Sequence, residues 1–347
     1  MKAVAYSIKP YEKEFLAKAN QKKHDITLIS NALSFETVIY AGGKDCVIVS
    51  PNDDVSAAVV KKLAGDGIKY IVTRSSGTDH IDKDAAKKYG VRLSNVPSYS
   101  PQACAEHAVA LALALDRQLV KADIHSHVFN FRNDELIGFN FFGKTVGLIG
   151  LGSIGQAVAR IYNGLGCKIL GYDINFPKGI PYINLATLED LLAFSDIISL
   201  HIPLTEETRH LIQRDTFDRM KDGVMLINTS RGALINTRHL LAAMENGKIG
   251  YLGLDVYEYE KGLFFEDHEN DPVKDELLQE LMNKPNVLIT PHQAYLTKEA
   301  LQEIANQTIK NLDSWQMDKC LEKACACVNV CSKSHSKENL INKQNVS

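Results

Sequence analysis

The sequence predicts an α/β protein made of two doubly wound parallel-sheet domains, one inserted into the other. Two observations carry this. Short apolar runs alternate with amphipathic helical stretches along most of the 347 residues, as in a parallel sheet covered by helices on both faces. A Gly-x-Gly-x-x-Gly turn appears only near residue 150, and a helical stripe resumes beyond residue 296. The length also makes two domains the natural expectation.

In chain order, KAVAYSI, DITLIS, DCVIVS and YIVTRSS (residues 70–76) read as four strands, with PYEKEFLAKAN and DVSAAVVKKLAGDG as helices between them. No glycine fingerprint follows the first strand, so this sheet is the candidate substrate domain. Its fourth strand runs into SSGTDHID. Ligands gather at the carboxyl ends of strands in open parallel sheets, and backbone N–H groups around Ser76 and Gly77 would suit a small anion. A plain strand-to-helix connection needing glycine fits the same residues equally well.

Ser100-Pro101 marks a helix start, with Ser as N-cap and Pro at the first helical position. The following QACAEHAVALALALDRQ is Ala- and Leu-rich almost all round, as expected of a helix buried between domains or subunits. Glu106 and His107 within it read as hydrogen-bonded structural groups. DIHSHVFNFRNDELIGFNFFGKT is irregular, aromatic and charged, and is expected to be a partner-facing arm.

Residues 146–173, VGLIGLGSIGQAVARIYNGLGCKILGYD, read as strand, tight turn, helix, strand and acid. Gly150, Gly152 and Gly155 serve a sharp turn, close approach to a pyrophosphate and close helix–strand packing. The helix N-terminus, from Ser153 and Ile154, presents free N–H groups to the phosphates. Asp173 suits both ribose hydroxyls and would repel a 2′-phosphate, so NAD is expected over NADP. Alone, such a glycine pattern is often only a loop; here strand, helix and acid all accompany it. With DIISLHI, VMLINTS, YLGLDVY and NVLITPH, six strands are expected, making a Rossmann dinucleotide-binding domain.

Beyond Pro291-His292 a stripe of Leu301, Ile304, Ala305, Ile309 and Leu312 forms a helix that returns the chain to the first domain. The expected organisation is therefore a flavodoxin-like substrate domain (residues 1–100 and 297–331) interrupted by the NAD-binding domain (101–296), with a disordered polar tail (332–347). The two crossings form a hinge, and closure about it is expected because hydride transfer needs water excluded.

A formal net charge of −3 argues against nucleic acid or an anionic membrane as partner, and no apolar run approaches the ~20 residues of a membrane span. The N-terminus has no signal-peptide pattern, so a cytoplasmic protein is expected. Of seven cysteines, Cys46, Cys104 and Cys167 lie in apolar surroundings and read as small buried hydrophobes kept reduced.

Three strand ends carry the candidate chemistry: INTSRGALIN with Arg231, GLDVYEYE with Asp255 and Glu260, and ITPHQAY with His292. Each alone has an ordinary reading, as ion pair, cap or solvated acid. Together behind a dinucleotide site they suit hydride chemistry on a 2-keto acid. The Arg fork clamps a carboxylate and polarises the carbonyl. The His gives a proton to the carbonyl oxygen, and a Glu orients the imidazole and favours its charged form.

These segments, with RSSGTDHID, NVPSYSPQACAEHA, KTVGLIGLGSIG, HIPLTEETRHLI and LFFEDHE, closely resemble the D-isomer-specific 2-hydroxyacid dehydrogenases, over nearly the whole chain to about Trp315. The resemblance implies Arg231 on substrate, His292 as acid/base and Glu260 as its partner. It implies Asp255 at the nicotinamide carboxamide, Ser76 and Gly77 on the substrate carboxylate, and Tyr99 and Tyr295 lining the pocket. Pro203, Thr208 and Thr229 match cofactor-contacting positions. Formate dehydrogenases of the superfamily pair the His with Gln, so Glu260 favours a keto acid. LFFEDHE resembles the lactate-type branch, implying pyruvate reduced to D-lactate with NADH and a homodimer. A bulkier 2-keto acid, or an NAD-sensing co-regulator on the same scaffold, are the alternatives.

The end of the chain departs from the family. Cys320, Cys325, Cys327 and Cys331 are spaced C-x4-C-x-C-x3-C, unlike paired C-x-x-C zinc sites, and no metal is expected. A soft-metal or redox-sensitive thiol cluster competes there with a terminal strand or helix.

Overall fold

The computed structural model describes residues 1–175, 179–270, 275–319 and 321–327. The chain forms two compact units: Met1–Ser100 with the described part of Thr297–Ser347, and Pro101–Leu296. Both are parallel-sheet α/β units.

In the first unit, β1 (Lys2–Ala5), α1 (Glu12–Asn20), β2 (Asp25–Leu28), β3 (Cys46–Val49), α2 (Ala57–Gly65), β4 (Tyr70–Thr73), α3 (Lys83–Tyr89) and β5 (Arg92–Ser94) follow one another. The sheet order is β2-β1-β3-β4-β5, all parallel, the flavodoxin-like order. β3 is buried at every position because helices cover both faces. Val4, Val47 and Ile71 face α2 and α3, packing with Val59, Leu63 and Ala86. Ala3, Ala5, Ile48 and Val72 face the other way, toward Leu16 of α1 and the helix that returns to this unit.

Sequence patterning gave four strands here; the described residues form five. β5 was hidden because it has only three residues and opens on a charge. It also receives the Cys-rich end of the chain. Ser94 bridges antiparallel to Cys325, the Ala326 N–H donates to the Leu93 carbonyl (3.1 Å), and the Leu93 N–H to Cys327 Sγ (3.1 Å). Burial pushes the Cys327 thiol up to about 11, so it stays protonated. Cys320, Cys331 and residues 332–347 lie outside the described residues.

The second unit opens with α4 (Pro101–Asp116) and α5 (Leu119–His127). Then come β6 (Thr145–Ile149), α6 (Ser153–Gly164), β7 (Lys168–Tyr172), β8 (Ile183–Leu185), α7 (Leu188–Phe194) and β9 (Ile197–Leu200). It closes with α8 (Arg214–Arg219), β10 (Val224–Asn228), α9 (Thr237–Glu245), β11 (Ile249–Leu254), α10 (Glu276–Met282) and β12 (Val287–Ile289). The chain then returns to the first unit as α11 (Lys298–Gln316), which buries Leu301, Ile304, Ala305, Ile309, Leu312 and Trp315.

The second sheet has the order β12-β11-β10-β9-β6-β7-β8. Among the described residues, seven strands replace the six expected. The addition, β8, is a three-residue edge strand with two exposed positions, too short and too polar for its pattern to register. The order reverses at β6, between β7 and β9, so the ligand crevice of an open sheet falls at the carboxyl ends of β6 and β9.

One face of α4 packs within its own unit: Ala105, Leu111 and Ala112 share a core with Val158 of α6 and Ile227 of β10, while Glu106 and Ala110 are exposed. One further expectation changes. The arm after α4 is not wholly irregular, since Gln118 takes a left-handed conformation (φ 50°) and α5 starts directly behind it. Exposed apolar side chains are concentrated there, with Ile124, Val128, Phe129, Phe131, Ile137 and Phe142 all open to solvent.

Candidate active site

The nucleotide end is built on β6. Gly150 has φ +100°, a conformation side chains rarely adopt, and a Cβ there would collide with the His201 carbonyl. A Cβ on Gly155 would collide with the Gly150 carbonyl, whereas one on Gly152 would meet nothing within 4 Å. The loop is thus packed tight at its base and open above the start of α6 at Ser153 and Ile154, where free N–H groups suit a pyrophosphate. Asp173, just past β7, is held at this loop: its carboxylate accepts from the Leu151 N–H at 2.6 Å and the Asn175 N–H at 2.8 Å.

Beyond β9, the Thr208 hydroxyl donates to the Pro203 carbonyl at 2.8 Å and pins the turn between them. Two polar atoms are left over. Thr229 Oγ1 and His201 Nδ1 are buried with no partner among the described residues. Buried polar atoms are normally satisfied, so orphans at the carboxyl ends of β9 and β10 are what a dinucleotide site would present. Burial pushes His201 down to about 4, which keeps the ring neutral. The glycine loop, Asp173 and these orphans fit NAD. His201 escaped the sequence reading, although HIP directly after a strand was its signal.

The polar end is built on β10, β11 and β12, three adjacent strands whose ends lie within about 10 Å at a strand spacing of ~4.8 Å. Arg231 follows β10. Asn228 Nδ2 donates to its carbonyl at 2.8 Å, and its own Nη1 donates to the Ser230 carbonyl at 2.8 Å. A Cβ on the next residue, Gly232, would collide with the Tyr257 backbone, so glycine lets the Arg231 loop press against the chain beyond β11. The Glu258 carboxylate ties the start of α9 to the segment after β9, accepting from the Thr237 N–H at 2.9 Å and His210 Nε2 at 2.6 Å. Burial alone would raise Glu258; the Thr237 and His210 bonds outweigh it and hold the carboxyl below its usual value.

His292 has φ 54°, a left-handed conformation that costs of order 1–2 kcal/mol in a non-glycine residue. Its N–H is held by the carbonyls of Asp255 (2.8 Å) and Thr290 (2.9 Å). His292 Nδ1 lies 2.9 Å from Glu260 Oε1, with both side chains about four-fifths buried (17% and 21% exposed). Glu260 Oε2 is steadied by the Tyr257 N–H at 3.0 Å. A carboxylate only accepts, so Nδ1 carries a proton. The Phe265 ring stands 5.6 Å away on its flank.

Asp255, expected at the nicotinamide carboxamide, is instead fully buried. Its carboxylate accepts from the Thr290 hydroxyl (2.6 Å) and from the N–H groups of Gln293 and Ala294 (2.8 Å each). It clamps the turn that carries His292 and leads into Tyr295, because those donors converge on it and leave no face open. In the first unit, Ser76 and Gly77 follow β4. Their carbonyls are tied to Asn95 Nδ2 and the Ser75 hydroxyl, both at 2.8 Å; Tyr99 lies beyond β5, half-buried.

A dinucleotide loop and a Glu-braced histidine at the carboxyl ends of strands in one parallel sheet point to a class: an NAD-dependent oxidoreductase. Residues 109–294 match the family described as D-isomer specific 2-hydroxyacid dehydrogenase, NAD binding domain. D-lactate dehydrogenase of Escherichia coli (strain K12) is 41% identical over 336 residues, 95% of this chain and 99% of that protein. Among solved structures, the pyruvate reductase of Chlamydomonas reinhardtii aligns with a TM-score of 0.87 at 43% identity, covering 92% of this chain and 98% of that one. D-lactate dehydrogenase of Aquifex aeolicus, complexed with NAD and lactic acid, aligns at 0.83 and 33% identity, covering 92% and 97%. The chain belongs to the D-isomer-specific 2-hydroxyacid dehydrogenases, acting on the CH–OH group of 2-hydroxy acids with NAD.

Proposed function

We propose that the protein reduces pyruvate to D-lactate with NADH, and that Arg231, His292 and Glu260 carry the reaction. The observation that carries the residue assignment is the His292–Glu260 pair, 2.9 Å apart at the end of β12; the substrate follows the names of the relatives. Arg231 binds the substrate carboxylate and polarises the neighbouring carbonyl. His292 holds a proton at Nε2 and delivers it to the carbonyl oxygen, and Glu260 keeps the ring aimed. When bound, the reduced nicotinamide supplies the hydride. Ser76 and Gly77 receive the substrate carboxylate through backbone N–H groups, and Tyr99 and Tyr295 bound its side-chain space. Gly150, Gly152, Ser153, Ile154, Gly155 and Asp173 hold pyrophosphate and ribose, with Pro203, Thr208 and Thr229 along the cofactor. Asp255 supports from beneath.

The test is NADH oxidation by the purified protein against pyruvate, glyoxylate, hydroxypyruvate, 2-ketoisocaproate and phenylpyruvate, with chiral analysis of product. Fastest turnover of pyruvate to D-lactate is expected. His292→Ala should lower kcat by about 10²–10⁴-fold while NADH still binds, and Arg231→Lys should impair both KM and kcat. Preference for a larger acid would move the substrate. Tight NADH binding without turnover of any acid would indicate an NAD-sensing binding protein instead.

The same reading includes a cytoplasmic homodimer. In its support, Cys46, Cys167 and Cys327 are free thiols, and the exposed apolar side chains after α4 (Phe129 85% exposed) form a patch that calls for a partner. Sedimentation should give a dimer for the native chain and a monomer for Phe129→Asp/Phe131→Asp. An unchanged dimer in that variant would move the interface elsewhere.

A further inference from the structure

We infer that His107, on α4, is a positioning residue for His292, acting through Thr290 and the buried Asp255 carboxylate. The inference rests on the reading of His292 as the proton donor. His107 Nε2 lies 2.9 Å from Thr290 Oγ1 and 3.3 Å from Asp255 Oδ1. Thr290 Oγ1 in turn lies 2.6 Å from Asp255 Oδ1.

Donor and acceptor roles follow from valence. The carboxylate can only accept, so the single hydroxyl proton of Thr290 points at Asp255. The oxygen of Thr290 must then accept from His107, and the proton of the imidazole sits on Nε2. The chain of donation runs one way: from His107 to Thr290 to Asp255. The same carboxylate takes the N–H groups of Gln293 and Ala294, and the Asp255 carbonyl takes that of His292.

The arrangement has a mechanical meaning. His292 occupies a left-handed conformation that its own side chain disfavours, and both bonds of its backbone N–H end on Asp255 or Thr290. Asp255 is fully buried, and a buried carboxylate is tolerable only while its donors are complete. His107 supplies the donor that comes from outside the turn, anchored on a helix packed into the core. Without it, the Thr290 hydroxyl is free to rotate, Asp255 loses part of its compensation, and the turn can relax. The His292 ring then loses its angle to the substrate carbonyl. Misplacement of a reacting group by about 1 Å can cost 10²-fold in rate.

The test is a set of variants in the full-length protein, assayed with the 2-keto acid it turns over fastest. His107→Leu keeps the bulk and removes the N–H; His107→Gln places an N–H near the Nε2 position; Thr290→Val breaks the link between the two ends. His107→Leu and Thr290→Val should each lower kcat by about 10–100-fold with the NADH Kd, from fluorescence titration, within about twofold. His107→Gln should recover most of the loss. Should His107→Leu fail to fold, Thr290→Val and His107→Gln carry the test. Native-like kcat in the Leu or Val variant, or equal damage by Leu and Gln, would overturn the inference. His292→Ala in the same series separates the two readings. If it stays active, the assignment of His292 falls; if it is inactive while His107→Leu is native-like, only the role of His107 falls.

Discussion

Asp53 in the first unit and Asp255 in the second occupy the same kind of place. Each is buried just past a strand end (1% and 0% exposed), and each gathers donors from a loop that crosses over it. Asp53 accepts from the N–H groups of Leu33 (2.7 Å) and Ser50 (2.6 Å) and the Ser7 hydroxyl (2.7 Å). Asp255 accepts from Gln293, Ala294 and Thr290, with His107 behind. The difference is in what is stapled. Asp53 ties together loops of a scaffold; Asp255 ties down a turn holding a histidine in a conformation it would not choose. The same device serves folding in one unit and geometry in the other.

Matched substitutions can break that comparison. Asp255→Ala should lower kcat by about 10²–10³-fold, since the His292 turn loses its clamp; loss of stability without loss of kcat would show that the turn holds itself. Asp53→Ala should instead destabilise by about 1–3 kcal/mol through unpaired buried donors, with kcat within about twofold, as read by urea unfolding and steady-state assay. Burial pushes the Asp53 carboxyl up, so its stabilising contribution is fully present below the unfolded value near 4 and is lost as pH rises through the folded one. The damage from Asp53→Ala should therefore be greater at pH 4 than at pH 7.

The smallest effect sharpens the contrast by its opposite sign. His201 in the second unit is pushed down to about 4 by burial, from an ordinary 6.5. Between those values the unfolded chain binds the extra proton, so His201 removes stability as pH falls, by at most about 1.4 kcal/mol per pH unit. His201→Asn should lose less stability than the native chain between pH 7 and pH 5. Equal losses would show that the buried ring does not set the acid limb.

Much of this was legible in the sequence, for definite reasons. The apolar runs that become strands and the glycine turn declared themselves, because residue pattern and φ > 0 are local properties. The pairing of His292 with Glu260 was legible from their residue types near strand ends. β5 and β8 were not: β12 is as short, but its VLI is an unbroken apolar run, whereas β5 opens on Arg92 and β8 places Asn184 between its apolar residues. Gly232 was passed over because its reason lies in the backbone of Tyr257, a contact between distant segments. His107 was readable only as a hydrogen-bonded group, since its partners, Thr290 and Asp255, lie far along the chain. Asp255 was placed at the cofactor by resemblance, and its burial emerged only with the 290–294 turn in view.

The return of the chain in α11 has a consequence for synthesis. Ile309, Leu312 and Trp315 cover the face of the first sheet formed by Ala3, Ala5, Ile48 and Val72, yet they leave the ribosome only after the whole of Pro101–Leu296. At about 5–20 residues per second, roughly 200 intervening residues take about 10–40 s to translate. Throughout that interval the nascent first sheet has Leu16 of α1 on this face but lacks α11. The first unit to begin synthesis is thus the last to complete its core, since its closing helix follows the whole inserted unit.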